Sequence, residues 1–182
     1  MSEYYIIPIS YNQIMTKPSF SLARKDDEMR ELIEKTDQKI LARWAIDCAE
    51  RVMHFFENMY PNDPRPQNAI LELKAWILTG VFKMSVIRKA SLDAHAAAKE
   101  IGNPSTSSGQ APSPAASVAH AAGQAVATAH VKTHAYGPAI YAQQAIFRAT
   151  GDMEKVEEER DWQYKHLLEL RKKDNTDGAN AG

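Results

Sequence analysis

The chain has few of the features that announce chemistry. Cys48 is its one cysteine in 182 residues. No disulfide can form within it, and a reducing compartment is expected. No apolar stretch approaches the roughly 20 residues of a membrane helix. The start, "MSEYYIIPISYNQ", has neither a basic n-region nor a long apolar run. Neither a signal peptide nor a membrane anchor is therefore expected, and the expected location is cytoplasmic. Charge of one sign is also missing: 22 Lys and Arg face 23 Asp and Glu, a net charge of −1. That removes a general attraction to nucleic acid or acidic membrane. Lys83, Arg88, Lys89 and Lys99 form only a sparse basic run, a weak nucleic-acid signal. There is no P-loop, no GxGxxG, no GxSxG, no CxxC and no zinc-finger spacing, which leaves the common nucleotide, hydrolase and redox classes without their sequence signatures.

What is present is helical pattern. At 44% hydrophobic and 25% charged residues the composition is that of a globular domain, and the length suits one domain with a real core. Residues 1–20, with the β-prone "YYIIPIS" broken by Pro8, read as an N-terminal arm or one edge strand. "KDDEMRELIEK" reads as a short helix with acidic residues at its positive end. Thr36 is the expected N-cap of a helix over about 37–60. There Ile40, Leu41, Trp44, Cys48, Val52, Phe55, Phe56 and Met59 recur at spacings of three and four, one wide apolar stripe. Arg43, Asp47 and Arg51 lie four apart on another face. "PNDPRPQNA" breaks the chain, Pro66 suits a first helical turn, and Gly80 is a natural stop. A fourth helix is expected over 81–101, then a Gly/Ser/Pro loop over 102–114. A helix from about 115 is expected to break at Gly137-Pro138. Another follows over about 138–149, and Asp152 caps a last, heavily charged helix over 153–173. A polar tail over 174–182 completes the chain.

Between Ala94 and Ala149, 18 of 56 residues are alanine, which favours closely approaching helices. Yet this region carries histidines. On one continuous helix His120, Gly123, Ala127, His130 and His134 would share an arc of about 80°. His130 and His134, at i and i+4, could then ligate one zinc, with His95 or a carboxylate such as Asp47 completing the set. No glutamate lies inside the pair, so it is not the HExxH arrangement. The commoner alternative is hydrogen bonding to a neighbouring helix or the lining of a polar groove. Cys48, on the apolar stripe, reads as a buried structural thiol. Asp63 and Arg65 read as local capping and pairing, or as an anchor for a partner or anion at a helix start. Trp162 and Tyr164 suggest that the last helix packs on the body or on a second subunit.

"RWAIDCAERVMHFFE", "DPRPQNAILELKAWILTG", "ASLDAHAAAKE" and "AGQAVATAHVKTHAYGPAIYAQQA" together resemble the Imm-5-like immunity proteins of bacteria. The resemblance runs over about 37–149, with Trp44, Asp47, Cys48, Arg51, Arg65, Pro66, Trp76, His95, Gly123, His130, His134 and Tyr141 on the shared pattern. It implies an all-α domain that neutralises a cognate toxin in polymorphic-toxin settings, and it brings no catalytic role. The loop after residue 101 is looser than the family's, and the 1–20 arm and the helix after Asp152 fall outside the resemblance. The expected fold is an all-α, single-domain bundle of six or seven helices over 21–173. Trp44, Phe55, Phe56, Trp76 and the alanine-rich helix pair are expected in its core. The expected function is a non-catalytic interaction protein with a toxin partner, no nucleic acid and no membrane. Asp47, Arg51, Arg65, His95, His130, His134 and Tyr141 are its candidate partner-binding or groove residues. A metal- or small-ligand-binding protein built on His130 and His134, with zinc as the candidate, is the alternative. A homo-oligomer assembled through the last helix is a third.

Overall fold

A computed structural model describes residues 26–101 and 113–179, with side chains up to residue 174. The expected arm over 1–20, most of the 102–114 loop and residues 180–182 lie outside the described residues. Among the described residues there are seven α-helices, one short 3₁₀ helix and no strand. The all-α expectation holds.

Local signals explain most boundaries. In α1 (Asp27–Glu34) the Asp26 side chain accepts from Met29 N–H, satisfying an otherwise orphaned donor. The cap of α2 (Gln38–Glu57) is Asp37, accepting from Lys39 N–H, rather than the expected Thr36. The Thr36 hydroxyl instead turns back to donate to Leu32 O in the preceding helix. Pro66 sits in the first turn of α3 (Arg65–Thr79), where a missing N–H costs nothing, and Gly80 ends it in the left-handed conformation at φ 68°. The chain then stays non-helical through Lys83, so α4 (Met84–Ile101) starts three residues later than expected. Gly151 closes α6 at φ 68°, and Asp152 accepts from Glu154 N–H at the start of α7. No proline or glycine stands between Gly151 and Gly178, and α7 (Met153–Ala179) runs past residue 173.

The alanine-rich region departs from expectation. One helix was expected to run from about 115 to Gly137, but α5 (Pro114–Ala127) stops ten residues short. The N–H groups of Thr128, Ala129 and His130 turn to carbonyls three residues back, a tightened last turn. Gln38, the first residue of α2, donates its side-chain amide to Thr128 O and Ala129 O, satisfying carbonyls that a longer helix would have used. A 3₁₀ turn follows (Lys132–Ala135), then α6 (Tyr136–Thr150). Gly137 and Pro138 therefore open α6 rather than break a helix. A Cβ on Gly137 would lie 2.7 Å from Gln124 Cβ, so glycine is what lets α6 start against α5.

α5 is central: α2, α3, α4 and α6 all pack on it. Its alanines, with Val118 and Val126, are nearly all inaccessible, as are Ala94 and Ala97 on α4. Trp44, Leu41, Val52, Phe56, Ile70 and Leu73 fill the neighbouring core. Phe55 and Trp76, expected beside them, are only partly buried at its edge. α7 closes the far side on α2 and α6.

Candidate functional site

The seven candidate residues do not gather in one place. Asp47 and Arg51 face α7. The His166 imidazole donates to Asp47 Oδ2 at 2.6 Å. Arg51 donates to Glu159 Oε2 at 2.9 Å, and its guanidinium lies 3.8 Å from the centroid of the Trp162 ring. That ring in turn stacks on His166. Glu159 is only 3% exposed, and burial raises its pKa while Arg51 opposes the rise. Gln163, inaccessible on the next turn, donates to Glu159 Oε1 and to Ala139 O and accepts from Gln143. Trp44 Nε1 donates to Gln163 O at 2.9 Å. The charge pattern of α7 hides this: its inner stripe of Val156, Glu159, Gln163 and Leu167 is half polar. Glu159, Gln163 and His166 are missed by sequence because only their α2 and α6 partners make them interior residues. Cys48 is inaccessible on α2, and burial pushes its thiol pKa well up, the reverse of an activated nucleophile.

His95 and Tyr141 meet on either side of His120. The Nδ1 atoms of His95 and His120 are 2.9 Å apart, so one must carry the proton and the other accept it. The His120 ring stacks on Tyr141 with centroids 5.1 Å apart. Burial, then the neighbouring His95, lowers the His120 pKa to about 4, and burial lowers that of His95 as well. Gly123 makes room: a Cβ there would lie 2.9 Å from His95 Cε1 and Nε2. Ser91 of α4 adds a hydrogen bond to Gly123 O. These contacts tie α4 to α5 through neutral imidazoles. Sequence gives His120 no partner, only a shared arc with His130 and His134, because its partner comes from another helix.

His130 and His134 do not share a helical face, because α5 has ended before either. His134 donates from Nδ1 to Gln124 Oε1 at 2.8 Å. His130 stacks on Phe82, at the α3–α4 junction. The shared helical face that the zinc alternative needs is not formed. No group of three or more His, Cys, Asp or Glu among the described residues could hold a metal ion.

Arg65 stands at the start of α3. It forms a bidentate pair with Asp63 and a second with Glu100 from the end of α4, with N–O distances of 2.6–3.1 Å. These hold the pKa of both carboxylates below the ordinary range. Arg65 also borders a groove of about 420 Å³ between α3 and α4, with Leu71, Val86 and Ala90. A second hollow of about 290 Å³ continues it past Glu72 and Val86 to Trp76, Thr79 and Val81. Along this hairpin the surface is apolar. Seven of the nine large apolar side chains exposed among the described residues lie between Leu71 and Leu92; Leu78 is 86% exposed, Val81 60% and Phe82 42%. Such a concentration is rare on a solvated surface. Helical periodicity marks Trp76 and Ile77 as apolar but cannot tell a covered face from an open one.

No helix of the described residues is long and apolar enough to cross a membrane. No curated protein and no solved structure matches the chain. The family model described as Imm-5 like putative immunity protein matches residues 31–170. That is well over half of the chain, and the chain belongs to this family. The match reaches beyond the resemblance read from the sequence, which stopped at residue 149, and takes in the part of α7 that holds Asp47 and Arg51.

Proposed function

Taking that membership as premise, we propose that the chain is a non-catalytic immunity protein that binds a cognate toxin in the cytoplasm and blocks it. The observation that carries this reading is the open apolar surface of the α3–α4 hairpin. Its side chains are held out on two helices whose other faces are locked to α5, so the surface is rigid and ready to bind. Exposed apolar groups flanked by charges are what a partner interface needs. Of the residues singled out in the sequence, Arg65 borders this surface and His130 supports it through Phe82; these two are the proposed contacts. His95 is assigned to seating α4 on α5, and Asp47, Arg51, His134 and Tyr141 to holding the rest of the bundle together.

The test is protection in cells. A bacterial host expressing the cognate toxin should die without this chain and grow with it, and the two purified proteins should form a stoichiometric complex. Equal killing with and without the chain would reject the reading.

A further inference from the structure

We infer that the junction of α4, α5 and α6 binds a phosphate dianion, free or as the end group of a small phosphomonoester, through Arg148 and Lys99. The site uses none of the residues that line the α3–α4 hollows and does not depend on the toxin-binding reading. Each helix contributes residues one or two turns apart, which therefore share a face. α4 brings His95 and Lys99, α5 brings Ser117 and His120, and α6 brings Tyr141 and Arg148. His120 joins the three. Its Nδ1 is 2.9 Å from that of His95 on one side, and its ring stacks on Tyr141 on the other.

Arg148 is the group that calls for an anion. A cation withdrawn from water is costly unless an opposite charge repays it. Arg51, Arg65 and Arg160 each meet a carboxylate at 2.6–2.9 Å. Arg148 is half-buried and meets none among the described residues. Its Nη1 donates to Ser117 Oγ at 2.8 Å and to Ser113 O at 3.4 Å. Ser117, itself inaccessible, donates on to Gln144 Oε1. These neutral partners fix the guanidinium, while Nε and Nη2 have no partner among the described residues. Burial lowers the Arg148 pKa, whereas Glu100 and Asp63 raise that of Arg65. The last turn of α6 and the first turn of α5 present opposite dipole ends here, so the helices do not supply the missing charge.

Lys99 is the second cation. It is exposed and forms no ion pair with a carboxylate among the described residues. Behind burial and His95, the charges of Arg148 and then Lys99 lower the His120 pKa, so both cations act on one imidazole. No carboxylate of the described residues acts on His120 or Arg148, and residues 102–112, which join α4 to α5, contain no Asp or Glu. Two cations beside imidazole and phenol groups match a dianion, whereas one carboxylate would leave a cation unmatched. A phosphate has oxygens enough for the arginine fork and the ammonium together. Arg148 and His120 are only half-exposed between helices, which suits a small molecule better than a folded surface.

The test titrates the full-length chain, in neutral phosphate-free buffer, with inorganic phosphate, with glycerol phosphate or, as a monoanion control, with acetate. Calorimetry reads affinity, and NMR of the histidine side chains reads the place. Saturable one-to-one binding of phosphate or glycerol phosphate is expected, and the tighter of the two identifies the free ion or the ester as the ligand. Acetate should bind at least about tenfold more weakly, having lost one charge-assisted contact. The His120 resonances should move on saturation and those of His166 on α7 should not. Arg148→Gln should weaken binding at least about tenfold, and Lys99→Gln several-fold with an unchanged Tm, while Lys83→Gln should match the wild type. No saturable binding of either phosphate, equal binding of acetate, unmoved His120 resonances, or wild-type affinity in the Arg148 or Lys99 variant would overturn the inference. Should Arg148→Gln fail to fold, the exposed Lys99→Gln and the wild-type resonances still decide it.

Discussion

Gly123→Ala should destabilise the protein in the wild-type background and stabilise it when His95 is absent. Alanine in a helix interior is favoured over glycine by about 1 kcal/mol, so in an open site the change would help. Here the new Cβ would sit 2.9 Å from two ring atoms of His95 and 3.1 Å from a third. Ordinary carbon contacts need about 3.5–4.0 Å, so the ring must retreat by more than half an ångström. It cannot do so freely, because its Nδ1 is 2.9 Å from that of His120. Overpacking of this kind costs about 1–3 kcal/mol, and stretching a partly buried hydrogen bond adds about 1 kcal/mol. The balance is a loss of about 1–3 kcal/mol in the wild type. In His95→Ala the ring and its clash are gone, and Gly123→Ala should gain about 1 kcal/mol from propensity alone. The coupling in the double-mutant cycle is then about 2–4 kcal/mol. Urea unfolding followed by circular dichroism reads all four proteins. A stabilising Gly123→Ala in the wild type, or the same sign in both backgrounds, would refute the account of how α4 is seated on α5.

The same pair predicts a pH dependence. His120 and His95 have depressed pKa values in the folded chain, so the unfolded chain binds more protons as pH falls. Stability should be complete above about 6.5, the ordinary imidazole value. It should fall toward pH 4 by at most about 1.4 kcal/mol per pH unit for each such group, and His120→Gln should flatten the slope; a pH-independent Tm over that window would contradict this. Arg51→Ala should cost about 2–3 kcal/mol by urea unfolding, because it leaves the buried Glu159 carboxylate without its cation; Arg51→Ala with Glu159→Gln should recover part of that loss, and no recovery would argue against the pair. Truncation before Asp152 uncovers Trp44 and the α2 face on which α7 packs; the shortened chain should lose its cooperative thermal transition, whereas an intact transition with a change only in oligomer size would assign α7 to assembly instead.

Much of the fold is legible locally. Pro66, Gly80 and Gly151 start or stop helices through their own backbone preferences and Asp152 through its side-chain cap, and each does so in the structure. The end of α5 is different: its carbonyls are taken by Gln38, ninety residues earlier, so nothing near Thr128 signals it. That one long-range cap puts His130 and His134 beyond the helix end, while His120 pairs with His95 because α4 packs on α5. α7 reads as a solvated charged helix because Glu159 and Gln163 look like surface residues until Arg51, Trp44 and Ala139 supply partners. Trp76 reads as core for the same reason in reverse, and it is only partly buried. A residue pattern reports what a side chain prefers, and coverage is decided by the neighbours.

The most direct test of the central claim is hydrogen exchange on the full-length chain, alone and saturated with the toxin it is proposed to neutralise. Protection should appear between Arg65 and Leu92, strongest around Leu78 to Val86, with α7 unchanged. Protection confined to α7 or to α5 and α6, with residues 65–92 exchanging as in the free protein, would contradict it.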